Sequence, residues 1–395
     1  MALNRSRGDH GPHERLITGT IPGRGPVVVS VVGRRIEEVT TIETDSSVTL
    51  IPGLLDLQVN GYGGIDLNDG SVTPQTVEAL IRALWGAGVT GFCPTFVTAQ
   101  TEDLIDGLRS VLKSLEGDPS LAHSLLGVHL EGPWISAQDG ALGAHAAHHL
   151  RPATIQELDL LTDVGVPISI ITMAPEIEGV IELIPEIVGR GIVAAIGHSA
   201  ADPTIIAAAV EAGATLSTHL GNGVAAQLPR HPNLLWSQLA ADSLWASFIA
   251  DGHHVDPNTL SVFLRAKGLG RSVLVSDTVA VAGLAPGTYK TSVGGMVELS
   301  ESGRLSLAGT SYLAGAAQTL LEDVAWMADS NILKLSEAVQ LATANPAALL
   351  AGRATDRGRI AAGCYADMVR VDFSGARPVV HEVIAGGVTV SGVAA

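Results

Sequence analysis

VHLEGPW, residues 128–134, is a short apolar run that ends on a glutamate and is cut off at once by Gly132 and Pro133. Four more strings repeat the device: AIGHSA (195–200) around His198, STHL (217–220) around His219, ADGHH (250–254) around His254 and LVSDT (274–278) around Asp277. Strand ends are where a parallel (β/α) barrel assembles its active site, and glutamate, histidine and aspartate are donors that a catalytic metal takes. The recurrence predicts a metal-dependent hydrolase.

Working outward, LLDLQVN (54–60) reads as a strand, and the segment after it places Val77, Leu80, Ile81, Leu84 and Trp85 on one helical stripe before Gly86 and Gly88. VTGFCPTFV (89–97) repeats the unit and leads to a helix from about Thr101 that buries Leu104, Ile105, Leu108, Val111 and Leu112. Apolar strands follow as LLGVHLE, ISIITMA, IVAAIGH, TLSTHL, WASFIAD and SVLVSD, mostly with helical segments between them. Eight strand candidates between Leu54 and Asp277 are the number that closes a (β/α)8 TIM-like barrel. The rival is an open doubly wound sheet, which would want a GxGxxG turn after its first strand, and the chain has none.

Around this α/β core lie β pieces. PVVVSVV and SSVTLI sit between Arg15 and Leu50, and GRIAAGCYADMVRVD with RPVVHEVIAGGVTVSG forms the tail. They predict a small β-sandwich shared by the two ends of the chain, over 1–53 and 352–395, beside a barrel over 54–351 with a β-hairpin excursion at 282–309.

Composition excludes several classes. With 395 residues and 46% hydrophobic content the chain can fill a large core. Its 23 Lys+Arg against 40 Asp+Glu give a formal charge of −17, with no dense basic run, so nucleic acid is not an expected partner and an anionic substrate would need a local positive site. Cys93 and Cys364 sit apart in apolar surroundings and read as buried free thiols. The opening MALNRSRGDHGPHERL lacks an apolar signal core, and no run of about 18 apolar residues occurs, so no membrane partner and a cytoplasmic location are expected.

Glu131, His198 and His219 could supply one oxygen and two nitrogens to a divalent metal, leaving a position open for water. Each alone would read as a hydrogen-bonded structural residue; three strand ends at one barrel face reinforce one another. Asp277 ends the last strand, and a carboxylate there suits a general base over the attacking water, its plainer reading being a loop-fixing aspartate.

Taken in order, PGLLDLQVNGYGG, PTFVT, GVHLEGPW, GAH, MAPE, GHSAAD, THLGN, ADGHHV, VSDTVAVAG, LAGT, NPA and the RGRIAAGCYADMVRVD tail resemble the N-acetylglucosamine-6-phosphate deacetylases of the amidohydrolase superfamily over nearly the whole chain. The resemblance implies hydrolysis of the acetamide of N-acetylglucosamine 6-phosphate, with Glu131, His198 and His219 as metal ligands and Asp277 as catalytic acid and base. It implies that His145 points at the substrate carbonyl and sugar, that Asn222, the Gly223 backbone N–H and Arg230 meet the phosphate, and that His254 reaches the phosphate of a neighbouring subunit, hence a homodimer. Where many amidohydrolases carry H-x-H on the first strand, this chain has Gln58-x-Asn60. Gln and Asn are weak ligands, so one divalent metal per chain is expected, zinc first, with Fe, Mn or Co accepted by the same donors; the pair otherwise hydrogen-bonds loop backbone or the water at the site.

The departures fall at the substrate end: THLGNGV in place of an aromatic at Gly221, RHPN reaching Asn233, and Tyr312 in LAGTSYLAG. They are expected to reshape the pocket, so the alternative is the same mechanism on another N-acetylated sugar, unphosphorylated or of a different hexosamine, or on another N-acyl substrate. A catalytically silent sugar-binding relative is disfavoured, because binding needs neither a metal site nor a base.

Overall fold

The computed structural model describes residues 14–43, 48–292, 294–310 and 312–392. The reading of the first 13 residues, and Ser311 in LAGTSYLAG, lie outside them. Eight strands form one parallel sheet: β1 (Leu54–Val59), β2 (Val89–Val97), β3 (Val128–Glu131), β4 (Ile168–Met173), β5 (Val193–Ile196), β6 (Leu216–Ser217), β7 (Trp245–Phe248) and β8 (Ser272–Leu274). Each pairs in parallel with the next. Closure comes from a parallel bridge between Val59 and Thr278, with the Asp277 N–H donating to the Gln58 carbonyl at 3.0 Å and the Asn60 N–H to the Thr278 carbonyl at 2.8 Å. The ring of strands is a TIM barrel.

Helices between the strands start where the sequence supplies caps. Asp118, Asp202 and Asp256 each precede a proline at the first helical position and accept a backbone N–H of the first turn, so the side chain satisfies a donor the helix leaves unpaired while the fixed proline φ starts the turn. Helix Pro74–Gly86 buries the stripe Val77, Leu80, Ile81, Leu84 and Trp85. Helix Thr101–Ser114 buries Leu104, Leu108 and Val111, while Ile105 and Leu112 are only partly covered. Inside the barrel, Leu55, Leu57, Cys93, Ile170, Ala195, Leu216 and Val273 form one apolar plug. Both cysteines are free and buried.

A second sheet of seven strands joins the two ends of the chain. Glu14–Ile21, Gly25–Val32, Arg35–Thr41 and Thr49–Pro52 come from before the barrel; Met368–Asp372, Val379–Ala385 and Val388–Gly392 come from after it. Every pairing is antiparallel except that of Thr20 with Thr49. Ile17, Val27, Val29, Leu50, Met368 and Ile384 pack in one core between its halves, making the small sandwich. The excursion after β8 carries one strand more than the expected hairpin: Gly287–Thr291, Gly295–Leu299 and Leu305–Leu307 pair in turn, because Leu305 joins Val297 and Leu299 in a local core of its own. Among the described residues no helix is long and apolar enough to cross a membrane.

A buried ionic bolt fastens sandwich to barrel. Asp367 accepts from Arg357 Nε at 2.7 Å, from His123 Nε2 at 2.7 Å and from the Gly386 N–H at 2.7 Å, while Arg357 also donates to the carbonyls of His123 and Thr90 at 2.6 and 2.9 Å. Burial opposes the charge on Asp367, but Arg357 and His123 outweigh it and hold the carboxyl down at about 2. Burial also pushes the His123 imidazole below its usual value, against the pull of Asp367. Removing one partner of such a pair strands the other, so Arg357→Met should lower unfolding stability by about 3–5 kcal/mol in denaturant titrations at neutral pH. Both titrations act on the acid side. His123 is neutral in the fold and must charge on acidification, so stability should fall below about pH 6.5, and Asp367, depressed in the fold, adds roughly 2 kcal/mol that is present above about pH 4 and lost toward pH 2. In Asp367→Asn the lower of these two losses should vanish.

Candidate active site

Glu131 is the last residue of β3; His198 and His219 follow β5 and β6 by two residues, and Asp277 follows β8 by three. The last three have positive φ, at +50°, +29° and +52°, a backbone region that costs a non-glycine residue roughly 1–3 kcal/mol. Each is held there. The His219 N–H donates to Ser247 Oγ at 2.7 Å, the Asp277 N–H to the Gln58 carbonyl, and the turn after His198 is tied down by Glu176, which accepts from Ser199 Oγ at 2.8 Å and the Ala200 N–H at 2.6 Å.

The side chains converge on one oxygen. Glu131 Oε1 lies 3.0 Å from His198 Nε2, 2.9 Å from His219 Nε2 and 3.2 Å from Gln58 Nε2. His198 Nδ1 is 2.8 Å from the Ala141 carbonyl, which can only accept, so Nδ1 carries a proton and Nε2 is the nitrogen turned toward the glutamate. A ligating histidine typically donates its other N–H to a carbonyl in this way. His219 Nδ1 is buried with no hydrogen-bond partner among the described residues. His145 brings a third imidazole, its Nε2 3.3 Å from His198 Nε2 and its Nδ1 2.9 Å from Thr98 Oγ1. Glu131, His145 and His198 have their ligand atoms within 4.8 Å of one another. The donor set, one carboxylate and several imidazoles around a single point, fits a divalent metal.

Burial works against the charge of Glu131, but the two imidazoles outweigh it and keep its carboxyl well below the usual range. Burial, and then the neighbouring His198, pushes the His145 imidazole down to about 3. Burial, and then the charge of Glu131, pushes Asp277 up to about 6.

One cavity gathers Glu131, His145, His198, His219, Asp277, Asn60, Asn222, Gly223 and His254. Gln58 stands behind this wall, donating to Glu131, and Asn60 Nδ2 donates to Asp277 Oδ1 at 2.7 Å, so each of the pair holds one of the two site carboxylates. Gly223 has φ +59°, and a Cβ there would come within 2.8 Å of His198 Nδ1. His254 lies in the cavity of its own chain, its Nδ1 2.7 Å from Asp251 Oδ2. Arg230 is exposed, in the loop before helix Leu234–Ala240, and lines none of this cavity. Tyr312 is 73% exposed and outside the cavity, which Leu313 and Ala314 line instead. The position of Gly221 faces Phe263, 3.1 Å from where a Cβ would stand, and does not itself line this cavity. Sequence reasoning gave no role to Thr98, Glu176 or Asp251; the MAPE and ADGHH strings contain the last two, without a sign of what they hold.

The chain matches the amidohydrolase family over residues 49–390. It is 36% identical over 342 residues to the N-acetylglucosamine-6-phosphate deacetylase of Bos taurus, covering 82% of this chain and 80% of that one. It is 33% identical over 329 residues to the N-acetylgalactosamine-6-phosphate deacetylase of Shewanella sp. (strain ANA-3), covering 83% and 80%. Among solved structures, N-acetylglucosamine-6-phosphate deacetylase from Thermotoga maritima superposes with a TM-score of 0.83 at 28% identity, over 96% of this chain and 100% of that one. A mutant of the Mycobacterium smegmatis deacetylase in complex with N-acetyl-D-glucosamine-6-phosphate gives 0.82 at 26% identity, over 95% and 99%.

The role of Glu176 is testable on stability alone. Glu176→Ala leaves Ser199 Oγ buried without its acceptor, which should cost about 1–3 kcal/mol in thermal or chemical unfolding. Glu176→Gln, which keeps one acceptor oxygen, should lose less.

Proposed function

This chain belongs to the N-acetylglucosamine-6-phosphate deacetylase family of the amidohydrolase superfamily, and from that premise we propose how its cavity carries out the reaction. It is a hydrolase that removes the acetyl group from N-acetylglucosamine 6-phosphate, giving glucosamine 6-phosphate and acetate. The observation that carries the reading is the meeting of Glu131, His198 and His219 at one oxygen in the cavity that also holds Asp277.

Glu131, His198 and His219 would hold one divalent metal, zinc first, which supplies Lewis-acid polarisation and lowers the pKa of water. The strained strand-end backbone of the two histidines supports this set over one with His145, which stands on a loop against Thr98 and is left to orient the substrate carbonyl. Asp277 takes a proton from the attacking water and passes it to the leaving amine nitrogen, while Asn60 fixes the rotation of its carboxylate. Asn222, the Gly223 N–H and His254 receive the phosphate. Among the described residues lining the cavity there is no Lys or Arg; we keep in the proposal Arg230 for the phosphate, a homodimer and a cytoplasmic location. The Shewanella relative favours a second reading, the galactosamine epimer as substrate, which parallel assays of both sugar phosphates and their unphosphorylated forms decide.

Elemental analysis after dialysis should find one equivalent of divalent metal per chain, strongly reduced in Glu131→Gln; two retained equivalents would refute the single site. Asp277→Asn should keep its metal and lose about 10²–10⁴-fold in kcat, the usual worth of general acid–base assistance. Near-normal turnover in that variant would assign the base elsewhere.

A further inference from the structure

The cavity has a third wall that neither the metal centre nor the phosphate end accounts for. Asp66 stands in the short hairpin after β1, where Gly61–Tyr62 pairs with Ile65–Asp66. Ser292 comes from the three-stranded excursion after β8. Both line the cavity, and Ser292 Oγ donates to Asp66 Oδ2 at 2.5 Å. Asp66 Oδ1 accepts the Asn68 N–H at 2.8 Å, and the Asn68 side chain is itself pinned to β2 by the Thr95 carbonyl at 3.1 Å and the Val97 N–H at 2.9 Å. The carboxylate's direction is therefore set by a hydrogen bond from each side, from the Asn68 N–H and from Ser292 Oγ.

Its position runs against the electrostatics of the rest of the site. The protein carries a net charge of −17, the cavity already holds Glu131 and Asp277, and the substrate assigned above is an anion that releases another anion. A further carboxylate on the wall repels both unless hydrogen-bond donors meet it. A carboxylate offers about four acceptor positions, of which two are used here, so acceptor capacity remains for the ligand.

We infer that Asp66, steadied by Ser292, recognises the vicinal C3 and C4 hydroxyls of the hexosamine ring and so discriminates between sugars that differ at C4. This rests on the substrate reading of the preceding section. A pyranose held by its C2 amide at the metal centre and its C6 phosphate at Asn222, Gly223 and His254 presents its remaining edges to the other walls. The C3 and C4 pair is the edge with two adjacent O–H donors, which a carboxylate can accept together. The phosphate has no such donors at neutral pH, which keeps Asp66 away from the anion end. Inverting C4 turns one donor out of line and leaves the carboxylate underused.

The test is kcat/KM for the metal-loaded wild type, Asp66→Ala and Ser292→Ala on N-acetylglucosamine 6-phosphate, its 4-deoxy analogue and N-acetylgalactosamine 6-phosphate. Hydrogen bonds to a charged acceptor are worth about 10–100-fold, so Asp66→Ala should lose about that much on the gluco substrate, mainly in KM. It should lose several-fold less on the 4-deoxy analogue and bring the gluco-to-galacto ratio toward unity. Ser292→Ala, which leaves the acceptor in place, should give a smaller loss with the same pattern. Metal content and melting temperature of both variants should match the wild type. An equal loss on all three substrates would make the pair a structural latch and overturn the inference, as would no loss at all. A wild type that turns over none of the three would refute the substrate reading itself, and the inference with it.

Discussion

Glu131 Oε1 is the point on which the site turns. Three groups from separate elements, Gln58 on β1 and the imidazoles beyond β5 and β6, come within 3.2 Å of a single buried oxygen. Only a closed ring of strands can bring a first-strand side chain to a third-strand carboxylate and to histidines halfway round the barrel. Closure in turn runs through the residues of the site, since the Gln58 carbonyl accepts the Asp277 N–H across the seam. The amide of Gln58 steadies the glutamate while its backbone completes the barrel. Chemistry and architecture therefore share one residue at the junction of β1 and β8.

This concentration has a cost that the surrounding structure absorbs. His198, His219 and Asp277 hold backbone angles that a free chain would avoid. Ser247, Glu176 and the Gln58 carbonyl each fix one of the strained turns, and each belongs to a different strand or to the loop after one. The barrel is rigid where it must be because its interior is filled by interlocking side chains. Strain at functional positions persists when the remainder over-determines it, and that condition is met here.

Much of the fold was legible because apolar runs of strand length alternate with helical stripes. The strand that ends at TLSTHL shows why exact extents were not: β6 keeps only Leu216 and Ser217 in the ladder, since Thr218 and His219 leave it to build the site. The four strand-end groups were visible as acids and histidines closing apolar runs. What they need for support was not. Gln58 and Asn60 find their partners, Glu131 and Asp277, 73 and 217 residues away, a separation no local pattern encodes. Loops were the least legible: Arg230, which the family motifs place at the phosphate, and Tyr312, a departure from them, are both exposed and line none of the cavity in this chain. The third strand of the excursion was hidden too, since Leu305 and Leu307 become a strand only by pairing with Leu299 and Val297.

The distribution of charge is the remaining constraint. An acidic protein that takes an anion cannot rely on its bulk field, and the described walls of the cavity contain no guanidinium or ammonium. What they contain is His254, whose Nδ1 is fixed on Asp251, leaving Nε2 for a ligand. Asp251 is in turn fixed by the N–H groups of His253 and His254, at 2.8 and 2.9 Å, and burial of its charge is outweighed by His254 so that its carboxyl stays down at about 2. A ring held this way has a fixed orientation in the cavity. On the described walls of the cavity, polar character at this end therefore comes from an oriented imidazole and from Asn222 and Gly223, which are directional groups, and it lies in the same cavity as Glu131, His198, His219 and Asp277.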